Sequence, residues 1–142
     1  MKRILLTLLL ICSVLYSYGQ TLLIYGGEDY KVYLGKLNAS PYDTESVWNA
    51  FGTYGNTYSS NSIWNEYGKY GSEYSSYSPF NDFASYPPIL IDRAGNFYGY
   101  FTSNKYKSQR CNAKWIDFIC TNVKIIRKDV SDFYQSYLQG VF

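Results

Sequence analysis

The sequence repeats one phrase of aromatic, polar and glycine residues at an interval of 16. Residues 46–55 read SVWNAFGTYG, residues 62–71 read SIWNEYGKYG, and a shortened third copy begins with SPFN at position 78. No single copy is large enough to bury its own aromatic side chains, so the copies must share a core with each other and with neighbouring elements. The fixed period and the aromatic content therefore predict that residues 42–88 form a folded repeat and argue against a disordered linker.

The three copies carry the signals of a short helical turn. Each copy begins with a serine (Ser46, Ser62 and Ser78), whose hydroxyl can accept hydrogen bonds from free backbone N–H groups. Proline follows the serine of the third copy, and proline is favoured at the first helical position. In the first two copies the phrase is closed by Gly52 and Gly68, which suit the left-handed residue after a helix. The repeat is therefore predicted to consist of short helical turns.

The aromatic residues of the repeat divide into candidate core and candidate surface. We expect the equivalent residues Trp48, Trp64 and Phe80 to point inward, since an inward ring after a serine cap explains their spacing. The tyrosines are too numerous for a small core, so a part of them should face solvent. The candidate binding residues are tyrosines and asparagines of the first two copies: Tyr54, Tyr58, Tyr70, Tyr74, Asn49 and Asn65. Antibody paratopes use the same combination of stiff aromatic and adaptable amide side chains.

Two predicted β-hairpins, in residues 20–38 and 89–104, flank the repeat. Each has two short runs of β-branched and aromatic residues around a glycine-containing turn. Two hairpins make a four-stranded antiparallel sheet, which needs a cover on one face. Residues 112–139 change to a helical period, and we expect these helices to pack on the sheet. The fold class is therefore predicted to be α+β, in a single domain of residues 20–142.

Residues 1–19 have the pattern of a secretory signal peptide. Lys2 and Arg3 precede an apolar run from position 4 to position 15, and small residues follow at positions 17 and 19. The run is shorter than the roughly 20 residues that a membrane-spanning helix needs. The sequence thus predicts a bacterial protein that is secreted, or that stays in the periplasm or at the cell surface, without a transmembrane segment in its mature part.

Two cysteines, Cys111 and Cys120, follow the predicted signal peptide. One disulfide is compatible with an exported protein, and two unpaired thiols are an equal alternative. Within one helix the two residues would lie about 13 Å apart, beyond the reach of a disulfide. Pairing therefore requires Cys111 to lie before the helix that carries Cys120.

The order of the phrases resembles a group of small exported bacterial proteins of uncharacterised activity. The resemblance rests on tandem S-I-W-N-x-Y-G-x-Y-G-S-x-Y-S repeats, preceded by YLGKLN at 33–38 and followed by a P-P-x-x-x-D-x-x-G-N-F-Y-G-Y hairpin at 87–100. It implies a folded module and transfers no catalytic residue.

The chain contains no histidine. This excludes Ser–His and Cys–His nucleophile pairs and most zinc sites, and no phosphate-binding glycine motif is present. We expect no metal, no cofactor and no nucleic-acid partner. The predicted function is that of a non-catalytic binding or structural module, whose partner is a glycan or a cell-surface protein. The alternative is a small secreted hydrolase of the glycosidase type that uses a pair of the carboxylates near the repeat: Glu66, Glu73, Asp82 and Asp92.

Overall fold

The computed structural model describes residues 19–142, so the predicted signal peptide lies outside the described residues except for Gly19. Four strands form one antiparallel sheet in the order β2-β1-β3-β4. They are β1 (Leu23–Gly26), β2 (Val32–Lys36), β3 (Ile89–Ile91) and β4 (Phe97–Tyr100). The predicted α+β class and the sheet of two hairpins are confirmed, with β1 and β3 paired in the centre.

Both edges of the sheet are covered by the chain itself. β2 forms a parallel bridge between Lys36 and Ser46, and β4 forms one between Tyr100 and Arg110. The inner face carries the fully buried residues Ile24, Leu34 and Leu90. Because edge strands with free backbone groups recruit other chains, these two bridges protect the small sheet against edge-to-edge pairing.

Residues 40–84, here called the turn segment, form a series of hydrogen-bonded turns. Backbone N–H groups donate to the carbonyl three residues earlier, from Asp43 to Ser40, Ser46 to Asp43, and so on along the segment. One step in each of the first two copies spans four residues, as between Asn56 and Gly52. Four steps of three residues and one of four residues account for the period of 16. Small polar residues recur at the steps because serine, asparagine and aspartate favour the first position of such turns.

The predicted helical turns at Ser46, Ser62 and Ser78 are instead single turns of this series, and no helix occurs between positions 40 and 84. Each serine hydroxyl accepts a hydrogen bond from the backbone N–H two residues later, at 3.0 to 3.1 Å. A side chain that binds the adjacent backbone in this way competes with continuation into a helix. The left-handed conformation expected for Gly52 and Gly68 is also wrong, since neither has a positive φ.

The C-terminal segment contains four short helices and ends near a left-handed Gly140. They are α1 (Lys114–Thr121), α2 (Val123–Ile126), α3 (Val130–Phe133) and the π-helix α4 (Tyr134–Leu138). The Asp129 carboxylate caps α3 by accepting a hydrogen bond from the backbone N–H of Asp132 at 3.0 Å. This cap stabilises the start of a helix that would be too short to persist alone.

The helices contact the turn segment, and their predicted packing on the sheet stays a prediction. Helix residues such as Ile119 and strand residues such as Leu90 belong to one buried core. The Ser131 hydroxyl donates to the carbonyl of Trp48 at 2.9 Å and accepts from the backbone N–H of Ala50. The ring of Phe133 stacks on Trp48 with centroids 6.3 Å apart. The turn segment thus connects the helices with the sheet.

The centre of the core is a stack of the three equivalent aromatic residues. Trp48 and Trp64 are fully buried, and Phe80 is 8% exposed. Ring centroids lie 5.0 Å apart between the tryptophans and 5.8 Å apart between Trp64 and Phe80. Such tilted and stacked pairs stabilise a core by about 0.5–1.5 kcal/mol beyond the area that they bury. The inward direction of these rings agrees with the spacing argument from the sequence.

Cys111 and Cys120 are unpaired in the structure. Cys111 is buried before α1, and Cys120 lies within α1. Burial raises the pKa of the Cys120 thiol to about 12. The thiol therefore stays protonated at neutral pH and is a poor nucleophile.

Candidate functional site

Of the aromatic rings of residues 40–84 and 104–110 that stand in solvent, five line neighbouring clefts. They are Tyr58, Tyr67, Tyr74, Phe83 and Tyr106, here called the aromatic row, and each is 89–97% exposed. Large aromatic residues normally bury most of their area in a domain of this size. Contiguous exposed apolar surface is characteristic of interaction sites.

Each ring of the aromatic row is carried by a turn that a side chain closes. The side-chain oxygen of the residue two positions earlier accepts the backbone N–H of the aromatic residue, as Asn65 does for Tyr67 at 3.1 Å and Asn81 for Phe83 at 2.9 Å. Asn56, Ser72 and Asn104 do the same for Tyr58, Tyr74 and Tyr106. The backbone under every ring is therefore held in place, and only the side-chain torsions remain to be ordered on binding.

The row is continuous, because neighbouring rings line common clefts. Tyr58 and Tyr67 share one cleft, Tyr67 and Tyr74 the next, and Tyr74 and Phe83 a third. A fourth cleft lies between Phe83 and Tyr106. Their volumes range from about 250 to about 480 Å³. Four open clefts that share their walls form a trough suited to an extended ligand that lies on the surface.

The last ring of the row comes from a second turn segment, residues 104–110. Its turns follow the rule of the first segment, with backbone bonds from Lys107 to Asn104 and from Arg110 to Lys107. The bridge between Tyr100 and Arg110 also repeats, 64 positions later, the bridge between Lys36 and Ser46. Ser103, which directly precedes this segment, donates from its backbone N–H to the carbonyl of Pro79 at 2.7 Å, so the two turn segments lie side by side.

Charged side chains of both signs line the trough. The acidic residues Glu66, Glu73 and Asp82 each directly precede a ring of the row. The basic residues that line the clefts are Lys105, Lys124 and Arg127. Among the described residues, none of these six side chains forms an ion pair within 4 Å. Asp82 accepts a hydrogen bond from the Ser103 hydroxyl and Arg127 donates to two carbonyls, so it is the remaining donors and acceptors of these side chains that are available to polar groups of a ligand.

Arg127 has a structural role beneath the trough as well. Its Nε and Nη2 groups donate to the carbonyls of Trp64 at 3.0 Å and Gly71 at 2.7 Å. Burial lowers the pKa of the Arg127 guanidinium from its ordinary value, although Glu66 and Glu73 act in the opposite direction. The guanidinium remains charged at neutral pH, and it fastens α2 and the residue that follows it to the second copy of the repeat.

Some of the tyrosines predicted from the sequence to bind a ligand are exposed in the structure, and others are buried. Tyr58 and Tyr74 belong to the aromatic row. Tyr70 is buried, at 7% exposure, and Tyr54 is half-buried against Tyr33 with ring centroids 5.0 Å apart. Tyr70 is therefore not accessible to a ligand, and its assignment to the binding surface is wrong.

The amides of Asn49 and Asn65 are engaged within the turns. Each side-chain oxygen accepts the N–H of the following aromatic residue at 3.1 Å. Each side-chain nitrogen donates to a carbonyl six residues earlier, at 3.3 and 3.1 Å. These asparagines position the rings of Phe51 and Tyr67 and have little hydrogen-bonding capacity left for a ligand.

Sequence reasoning missed Tyr67, Phe83 and Tyr106. A usable signal was present, because an aromatic residue two positions after an asparagine points outward throughout both turn segments. The same spacing after a serine is ambiguous, since Ser72 precedes the exposed Tyr74 whereas Ser62 precedes the buried Trp64.

Among residues 19–142, no group of three or more potential metal ligands comes together, and no helix has the length and apolar content needed to cross a bilayer.

The comparisons with known proteins leave the site without a precedent. No family model, no curated protein and no solved structure matches the chain.

Proposed function

We propose that this protein is a non-catalytic binding module that holds an extended glycan along the aromatic row. The observation that carries the proposal is the continuity of the row, in which successive clefts share their aromatic walls. A compact ligand would need one enclosed pocket, whereas a chain of similar units needs a series of similar open subsites.

The chemistry of the subsites favours sugar rings. The C–H faces of a pyranose are apolar and can pack on an aromatic ring, while the hydroxyl groups at its edge need donors and acceptors. Each cleft offers two aromatic walls and at least one carboxylate, from Glu66, Glu73 or Asp82. The supporting turns are closed by side-chain hydrogen bonds, so little conformational freedom of the protein is lost on binding.

The proposal is tested by affinity electrophoresis in gels that contain soluble polysaccharides. The variants Tyr67→Ala and Tyr74→Ala should weaken retardation by at least roughly tenfold in Kd, equivalent to about 1.4 kcal/mol. Matched controls are Phe51, which is equivalent to Tyr67 in the first copy, and Tyr42, which lies two periods before Tyr74. They are 98% and 85% exposed and line none of the four clefts. Phe51→Ala and Tyr42→Ala should bind like the wild type. Equal effects in both pairs of variants would contradict a role of the row.

A hydrolase is the second candidate function, because Glu66 and Glu73 line the same cleft between Tyr67 and Tyr74. Two carboxylates about 5–9 Å apart can act as acid and base, or as acid and nucleophile, on a glycosidic bond. This candidate requires that the protein release reducing ends from a polysaccharide that it binds. Activity that disappears in both Glu66→Gln and Glu73→Gln, with binding retained, would establish the hydrolase in place of the simple binding module.

A further inference from the structure

The charges of the trough are balanced. The four clefts together are lined by three acidic and three basic side chains: Glu66, Glu73, Asp82, Lys105, Lys124 and Arg127. The balance also holds locally in the cleft between Tyr67 and Tyr74, which has two side chains of each sign. The clefts at the two ends of the row contain one acid and one base each, whereas the cleft between Tyr74 and Phe83 contains Glu73 and Asp82 and no base.

We infer that the ligand on the aromatic row is an uncharged polysaccharide with free hydroxyl groups; the inference rests on the proposed glycan-binding function. A hydroxyl group donates to a carboxylate and accepts from an ammonium or guanidinium group, so it uses side chains of both signs. Because the six charged side chains lack ion-pair partners within 4 Å among the described residues, such hydrogen bonds would not have to break an existing pair.

Charged polymers fit the trough less well. A polyanion such as a uronic acid chain, a sulfated glycan or a single nucleic acid strand would meet Glu66, Glu73 and Asp82 beside the rings. Aromatic grooves that bind nucleic acid strands combine stacking with an excess of positive charge, which the balanced trough lacks. A polycation would meet Lys105, Lys124 and Arg127 in the same way.

The salt dependence of binding tests the inference on the purified protein. Dissociation constants are measured for a panel of soluble polymers: hydroxyethylcellulose, laminarin and xylan as neutral chains, alginate and carrageenan as anionic chains, and chitosan as a cationic chain. Between about 0.01 and about 1 M ionic strength the Debye length falls from about 30 to about 3 Å. Binding of a neutral chain should stay within about twofold over this range, whereas binding of a charged chain would weaken by more than tenfold.

Two charge variants sharpen the test. With a charged ligand their affinities change in opposite directions, whereas with a neutral ligand both affinities fall. For a neutral ligand, Glu73→Gln and Lys124→Gln should each weaken binding by a few fold without introducing a salt dependence. For an anionic ligand Glu73→Gln would strengthen binding and Lys124→Gln would weaken it, and for a cationic ligand the signs would be reversed. Circular dichroism and a urea melt of each variant verify that it is folded, and both positions are exposed.

The outcomes separate the two proposals. Salt-independent binding of a neutral chain that is lost in Tyr67→Ala and Tyr74→Ala supports both. Salt-sensitive binding of a charged chain that is also lost in these variants overturns the neutral ligand and leaves the proposed function intact. If no chain of the panel binds, or if Tyr67→Ala and Tyr74→Ala bind like the wild type, the proposed function fails and the inference fails with it.

Discussion

Trp48 and Trp64 lie 16 residues apart in the sequence and pack against each other in the core, with ring centroids 5.0 Å apart and ring planes tilted by 39°. The indole N–H of Trp64 donates to the carbonyl of Val47, which directly precedes Trp48. The indole N–H of Trp48 donates in turn to the carbonyl of Leu37, just after β2. Each tryptophan is thus bonded to the preceding segment of the chain, and the repeat is a unit of packing.

Truncation of the central ring should destabilise the whole domain. Trp64→Ala removes the contacts with Trp48 and Phe80 and leaves the carbonyl of Val47 without its donor. We expect the free energy of unfolding to fall by about 3–5 kcal/mol, as measured by urea denaturation. The control Tyr67→Ala, three residues later and exposed, should stay within about 0.5 kcal/mol of the wild type. A similar urea midpoint for both variants would show that the stack does not hold the fold together.

The same substitution should reduce stability at Tyr70 and ligand binding at Tyr74. Tyr70 packs on β1, where a Cβ added at Gly26 would come within 3.3 Å of its ring. Tyr70→Ser should therefore lower the free energy of unfolding by about 3 kcal/mol. Tyr74→Ser should change it by no more than about 0.5 kcal/mol, while ligand binding is weakened. The reverse order in thermal melts would mean that the inward and outward tyrosines have been assigned incorrectly.

Gly71 allows close contact within the second copy of the repeat. A Cβ at this position would lie 2.2 Å from the carbonyl oxygen of Asn65 and 2.6 Å from that of Ile63. Both neighbours are backbone atoms within hydrogen-bonded turns, so they cannot move cheaply. We expect Gly71→Ala to cost about 3 kcal/mol. Gly68→Ala is the control, since its Cβ would meet mainly the Asn65 side chain, at 3.0 to 3.2 Å, and a smaller loss of stability is expected there.

Arg127 should contribute to stability through its hydrogen bonds and not through an ion pair. Arg127→Met keeps much of the side-chain volume and leaves the carbonyls of Trp64 and Gly71 without a donor. The expected loss is about 3 kcal/mol, because both lost bonds come from a charged group. Lys124→Met, at an exposed position of α2, should be nearly neutral in the same urea titration. Equal stability of the two variants would argue against the fastening role of Arg127.

The turn between β3 and β4 should make the stability of the protein depend on pH in the acidic range. The buried Asp92 carboxylate accepts hydrogen bonds from Asn96, from Tyr98 and from the backbone of Ala94. These bonds hold the pKa of Asp92 below its usual range, and the side-chain bond from Asn96 has the largest effect. The pKa of an aspartate in the unfolded chain is about 3.9, so the stabilisation by Asp92 is complete above that pH. It is lost as the pH falls through the lower pKa that Asp92 has in the folded protein. Asp92→Asn should lower the melting temperature at neutral pH. The variant should also lose less stability than the wild type when the pH is lowered. An unchanged acid profile in the variant would exclude Asp92 as its source.

The sequence alone determined the features that depend on local chemistry. The turn residues and β-branched runs of each hairpin specify antiparallel strands, and the structure contains them at Leu23–Gly26, Val32–Lys36, Ile89–Ile91 and Phe97–Tyr100. The period of 16 and the size of the rings were sufficient to indicate that Trp48 and Trp64 lie in the core. In these cases the preference of a residue and its place in the fold agree, because both follow from neighbours close in sequence.

Only the tertiary structure decided which tyrosines face solvent. Tyr70 and Tyr74 lie four residues apart with similar polar neighbours, yet Tyr70 is buried against β1 and Tyr74 stands in solvent. The direction of a ring depends on where each turn lies relative to the sheet and the helices, and a series of turns has no single face that a period could reveal. The same applies to Tyr106, which joins the aromatic row because the second turn segment lies beside the first, with Ser103 bonded to Pro79. Contacts between segments so distant in sequence are set by packing of the whole chain, and local preference does not specify them.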